Sequence, residues 1–548
     1  MDVRASMVVA LAALLGALGG AAEGRAAVSA DSPGYEDLLR LFAEWREFQK
    51  PRSVNGVPDY TAAAMERQRA GLAALQARLR GIDPSAWQIP RQVDYHLVRA
   101  EMNGLDFDHR VLRPWSRNPC FYAVLWESQS DTPAHEGYAQ AGAIELWQYS
   151  FPASPEAQAA LRAQLRAVPA LLEQAKANLV EDARDLWRLG MEVKRSESAV
   201  LERLEGTLAP IHPDLVPEVE RAGTAVDAFR VWLEERAPQK TGASGIGVAD
   251  YDWYLKNVHL SPYSWEDERR LHEREWARAM AHLRLQQEAN RALPPLAPIA
   301  TAEEYHRRFD EAVTEYIRFL DEKQILTVRP YMDQALRERE GRFEPPEARD
   351  FFSQVEFRDP IVMRTHGFHW FDLARMKEEP HPSPVRRGPL LYNIWDSRAE
   401  GFATAMEEMM MTAGFLEGRP RAKELVYILV ANRAARGLAG LRQHSHELTY
   451  EQALRAAHEG TPNGWLEEKG ETNSFEQRLY LEQPGYGSCY LAGKAQIEKL
   501  LADRAEQLGD RFSLRQFVDE LTGAGMIPVS LLRWELTGRD DEVRRIFR

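Results

Sequence analysis

Two histidines and three glutamates within residues 359–415 have the types and spacing of a metal site. His366 and His369 are three apart in a segment with helical apolar spacing, and Glu400, Glu407 and Glu408 follow about one helix later. If the segment is helical, the two imidazoles share a face. A carboxylate from a second helix would then complete a three-ligand site for a divalent ion. The alternative stands beside it, because a neutral histidine on a helix is also a routine buried hydrogen-bonding residue. Glu407 lies two turns past Glu400 on nearly the same face, and one of Glu407 and Glu408 is expected only to meet solvent or an arginine. Met409, Met410 and Met411 read as core filler. Arg364, Arg386, Arg387 and Arg398 crowd the same stretch. One of them could clamp a substrate carboxylate bidentately, and the rest would neutralise the local glutamates.

The elements that must position these residues read as helices. Tyr35–Phe48 and Thr61–Leu79 carry apolar residues at helical spacing. Asp83-Pro84 and Ser154-Pro155 each offer a cap followed by proline at the first helical position, and Ser264 and Thr301 precede Asp267 and Glu304 as in capping boxes. Pro169 is expected to kink or split the helix over 156–179. Helical pattern continues through 198–206 and 213–237. The glycine-rich loop 241–248 lacks the spacing and lysine of a phosphate cradle and reads as a turn. Tyr251, Trp253, Tyr254 and His259 after it would either line a channel or pack in the core, as would the loop 117–122. Residues 302–340 are helical and highly charged, as a solvated face is. No repeat, low-complexity tail or run of alternating strands is present. Pro345 and Pro346 mark a break, dividing the chain into helical halves 31–345 and 346–548 that share one cleft.

Residues 1–30 hold Arg4, an apolar run from Met7 and small residues at Val28, Ser29 and Ala30, the pattern of a cleaved secretory leader, with Ala22 as a second end point. The apolar run falls short of the roughly 20 residues that span a bilayer. A periplasmic or secreted location follows as the expectation. The leader contains Asp2, Glu23, Arg4 and Arg25, so the net charge of −14 is the same without it. That charge argues against nucleic acid and anionic membranes as partners. Cys120 and Cys489 are the only cysteines. They exclude a cysteine-based zinc module and allow either one bridge or two buried thiols.

Three stretches of the C-terminal half extend the pattern. Glu400-Gly401-Phe402-Ala403 precedes a helix, Pro484, Gly485, Tyr490 and Gly493 form a second element, and Gly509, Phe512, Phe517, Gly525 and Pro528 a third. Together, over roughly 350–535, they resemble the bacterial domain-of-unknown-function 885 family, whose members look like distant helical zincin peptidases. The resemblance implies a mainly α, zincin-like fold with a central cleft and little or no sheet. It also implies that Glu400 is the acidic third ligand, that Tyr490 donates to a developing oxyanion, and that His444 is an acid-base residue or supports one. Family members carry a His-Glu pair followed by Pro-Gly-His, whereas this chain reads Thr365-His366-Gly367-Phe368-His369-Trp370. The glutamate that would act as base is missing. If His366 takes the first place, the last falls near Asp372, about 120° round an unbroken helix, so His369 is the better second ligand.

The resulting expectation is an exported metal-dependent hydrolase of short peptides or amides. Its metal, expected to be zinc, is held by His366, His369 and Glu400. Glu407 serves as substitute base with Tyr490 and His444 in the chemistry, and Arg364, Arg398 and Tyr486 bind substrate. The partner is a small molecule or short peptide, and no signal for an oligomeric state is present. Two other readings remain: a metal-independent lyase or isomerase acting on a small carboxylic acid, and a non-catalytic binding protein with a degraded peptidase cleft.

Overall fold

The computed structural model describes residues 34–134 and 140–547; the leader expected at 1–30 lies outside them. The fold is mainly α. Strand pairing among the described residues is confined to two short ladders, Ser53–Val54 antiparallel to Val57–Pro58 and Leu125–Trp126 parallel to Ile144–Glu145. No helix of the described residues is long and apolar enough to cross a membrane.

Local chemistry sets most helix starts. Thr61, Ser154 and Thr301 each accept a backbone N–H of the first turn, and Ser264 forms a full capping box with Asp267. Asp83-Pro84 differs from expectation. Asp83 accepts from the Ser85 N–H at 2.9 Å, but this makes a turn, and the helix begins at Ile89 with Pro90 in its first turn. The turn is held by Trp87, buried edge-on against Tyr35 with ring centroids 5.5 Å apart. Pro169 does not split its helix, which runs from Pro155 to Asn178. Leu165, Val168, Leu171 and Leu172 are buried on both sides of the proline, so packing outweighs the lost backbone bond. The charged stretch 302–340 divides into Ala302–Glu322 and Pro330–Arg337, and the first buries Tyr305, Phe309, Val313, Tyr316 and Leu320 along one face.

The largest core crosses position 345. Tyr316 packs against Phe371 and Phe415 with ring centroids 6.4 and 5.2 Å apart. A second core gathers residues between Tyr60 and Ala237 with Tyr450, Leu454 and Leu481. Cys120 and Cys489 are both free and buried, without a bridge between them. Tyr251 and Tyr254 are core residues. Four helices matter most for the site: Phe368–Glu378, Asp396–Thr412, Ala422–His444 and Tyr486–Leu508.

Candidate metal centre

The two histidines are not on one helix. Pro360–His366 ends at Gly367, whose N–H bonds the Met363 carbonyl at 3.0 Å, and a second helix starts at Phe368. The bend brings the two imidazoles edge to face with centroids 4.9 Å apart. Glu400, on Asp396–Thr412, comes close to both. One ligand atom from each of His366, His369 and Glu400 lies within 4.8 Å of the others.

His369 Nε2 and Glu400 Oε2 are 3.1 Å apart, both side chains being 3% exposed or less. Burial disfavours charge on each. Their mutual attraction overcomes it, holding His369 above the usual imidazole range, with help from Asp131, and Glu400 below the usual carboxylate range. The protonated imidazole therefore supplies a positive charge where a divalent cation would sit. The donor set also fits such a cation. The 3.1 Å separation is near the edge of a zinc tetrahedron, about 3.4 Å for bonds of about 2.1 Å. Tyr486 donates its hydroxyl to the other carboxylate oxygen, Glu400 Oε1, at 2.7 Å.

His366 is oriented from behind. Its Nδ1 lies 3.1 Å from Glu407 Oε1 and 3.2 Å from the Arg433 guanidinium. Arg433 grips both Glu407 oxygens at 2.7 Å. Burial and the neighbouring Arg433 lower the His366 pKa, keeping the ring neutral. A proton on Nδ1 shared with Glu407 would leave the Nε2 lone pair free, the arrangement that tunes metal-bound histidines. Glu407 is itself held ionised: burial opposes this, but Arg433 and His366 prevail. This occupied, low-pKa carboxylate is poorly suited to the base role expected of it.

The remaining expected residues are dispersed. One Arg364 guanidinium nitrogen reaches both Glu356 oxygens at 2.7 Å, and the group lies over Phe309. Arg398 is fully buried and bidentate to Asp372 at 2.9 and 3.1 Å, tying the His369 helix to the Glu400 helix. Glu408 pairs with Arg278 and Lys494. His444 lies eleven residues beyond Arg433 on one helix, about 16 Å away by helical rise, and its Nε2 donates to the Tyr480 carbonyl at 2.8 Å. Tyr490 packs 6.0 Å from the Tyr486 ring with the Arg436 guanidinium over its face. Tyr486, expected to bind substrate, meets Glu400 instead.

Two participants escaped the sequence reading. Arg433 had a signal, since Arg433 and Arg436 interrupt an apolar helical run from Leu425 to Leu441 and must meet buried acids there. Asp131 had none, being one polar residue of an irregular loop. It lines a cavity of about 290 Å³ together with His366, Arg339, Arg364 and Trp370. Its carboxylate has no hydrogen-bond or ion-pair partner within 4.0 Å among the described residues.

A family model described as a bacterial protein of unknown function (DUF885) matches residues 369–536. That span takes in His369, Glu400, Glu407, Arg433 and Tyr486 and starts after His366. No curated protein matches the chain. Among solved structures, a candidate lipoprotein of unknown function from Shewanella oneidensis is similar with a TM-score of 0.67 at 16% identity, over 91% of this chain and 97% of the other. A candidate lipoprotein from Colwellia psychrerythraea gives 0.63 at 14% identity, over 92% and 99%. These likenesses extend the shared fold well beyond the matched family span.

Proposed function

We propose that this protein is an exported, zincin-like, metal-dependent hydrolase of short peptides or amides. The observation that carries the reading is the convergence of His366, His369 and Glu400 in the protein interior, with Glu407 behind His366 and Tyr486 on Glu400. The leader-like residues 1–30 and the two lipoprotein neighbours support export. Two imidazoles and one carboxylate form a known donor set of catalytic zinc. A bound divalent ion would supply a Lewis acid for the substrate carbonyl and acidify water.

This chain's own residues divide the remaining work. Glu407, clamped by Arg433, lies behind His366 and would favour the tautomer that ligates through Nε2. Tyr486 fixes the Glu400 carboxylate. Asp131, a carboxylate on the cavity wall beside His366 with no ion-pair partner among the described residues, takes the base role in place of Glu407, removing a proton from the attacking water. Tyr490, next to Tyr486, keeps the proposed role of donor to the oxyanion. The cavity walls Trp370, Arg339 and Arg364 receive the substrate on this side.

Elemental analysis of protein purified without chelator tests the reading, with close to one divalent metal per chain expected. A folded, metal-free preparation that refuses added zinc and manganese would overturn it and favour metal-independent lyase or isomerase chemistry.

A further inference from the structure

A second cavity, also of about 290 Å³, lies where the chain enters the two helices bearing Glu400 and Tyr486. Tyr60, Trp115, Phe121 and Leu391 give it apolar walls, and Asn393 and Gln68 add carboxamides. Tyr392 and Asn393 both adopt left-handed backbone conformations, with φ of 57° and 52°. That geometry is unfavourable for a tyrosine and tends to be kept where function needs it. It is locked from two sides. Tyr254 donates its hydroxyl to the Tyr392 carbonyl at 3.3 Å, and the Tyr392 ring lies so close over Gly104 that a Cβ there would come within 2.3 Å.

The lock sets Asn393 in the cavity wall. The residue is only 7% exposed, yet its carboxamide has no hydrogen-bond partner among the described residues. A carboxamide held in a cavity wall with no protein partner is open to a ligand that offers a donor and an acceptor. Asn393 lies three residues before Asp396, where the helix that carries Glu400 begins.

We propose that this cavity is a substrate subsite for an uncharged peptide unit. Asn393 donates to the unit's carbonyl and accepts from its N–H, while an apolar or aromatic side chain lies against Trp115 and Phe121. That the unit belongs to the substrate rests on the proposed metal centre; the ligand class rests on the cavity alone.

The test is calorimetric titration of N-acetylphenylalaninamide into the metal-stripped full chain and into its metal-loaded form. Wild type is expected to bind it with the same Kd in both. Asn393→Gly keeps the left-handed backbone and removes the amide, and Asn393→Asp keeps the shape and removes the donor. Asn393→Gly should melt as wild type does, Asn393→Asp should melt lower because its carboxylate is enclosed near Asp108, and both should bind at least tenfold more weakly. Absence of wild-type binding, or undiminished binding by Asn393→Gly, overturns the proposal. Asp108 also lines the wall, so phenylalaninamide, with its free ammonium, is the second probe, and tighter binding of it overturns the uncharged assignment. Failure of the metal reading appears separately, in elemental analysis, and leaves probe binding unaffected.

Discussion

Gly401 and Gly493 meet backbone to backbone where the Glu400 helix crosses the Tyr486 helix. A Cβ on Gly401 would lie 2.5 Å from Gly493 Cα, and one on Gly493 would lie 2.2 Å from the Ser397 carbonyl oxygen. No flexible side chain can yield at either contact. The closeness of the crossing lets the Tyr486 hydroxyl reach Glu400 at 2.7 Å.

Gly493→Ala should therefore force the helices apart, destabilising the protein by about 1–3 kcal/mol as overpacking does. It should also weaken metal retention by loosening the Tyr486–Glu400 bond. Urea unfolding and metal stoichiometry measure the two effects. An alanine variant as stable as wild type would contradict the crossing distance.

These two glycines show what sequence can and cannot supply. Both were legible as motif positions, but their function is a contact between helices distant in sequence, which no local pattern encodes. The helical class and most caps were legible because they depend on neighbours within one turn. His366 and His369 were legible as a pair, although Gly367 bends the chain between them. Arg398 and Glu407 were legible as charged residues near the site. Their engagement by Asp372 and Arg433 is a tertiary matter, and it moves Glu407 from proposed base to support. Asp131 comes from a loop that only the fold brings beside His366.

Arg433 and Glu407 form an almost fully buried pair, with side chains 1% and 0% exposed. Arg433→Met should leave Glu407 charged and alone, at a cost of about 3–5 kcal/mol. Glu407→Gln removes the partner of His366 with less structural damage, and metal affinity should fall about 10–100-fold. Thermal melts and competition with a chromogenic chelator separate the two. Equal metal affinity for Glu407→Gln and wild type would remove Glu407 from the support of His366.

Glu400→Gln and Asp131→Asn separate ligand from base. The first should lose metal and any hydrolytic activity together. The second should keep its metal and lose about 10²–10⁴-fold in turnover, the usual range for a general base. Should Asp131→Asn turn over short amide substrates at the wild-type rate, another group is the base.

Glu268 makes stability depend on pH. It is buried and accepts a hydrogen bond from Ser488 at 2.5 Å. Burial outweighs that bond and, with Asp252 and Asp267, raises its pKa from 4.5 to about 8. Between pH 4.5 and about 8 the folded protein therefore keeps a proton on Glu268 that the unfolded chain has released. The folded state binds more protons in this window, so stability falls as pH rises. The contribution is fully present below pH 4.5 and is lost by about pH 8, with a slope of up to about 1.4 kcal/mol per pH unit. Asp396, raised chiefly by burial, adds a slope of the same sign. Glu268→Gln cannot ionise and should flatten the profile by one proton while leaving the share of Asp396. Urea unfolding at intervals from pH 5 to 8 measures it, and parallel slopes for variant and wild type would show that Glu268 is ionised in the fold.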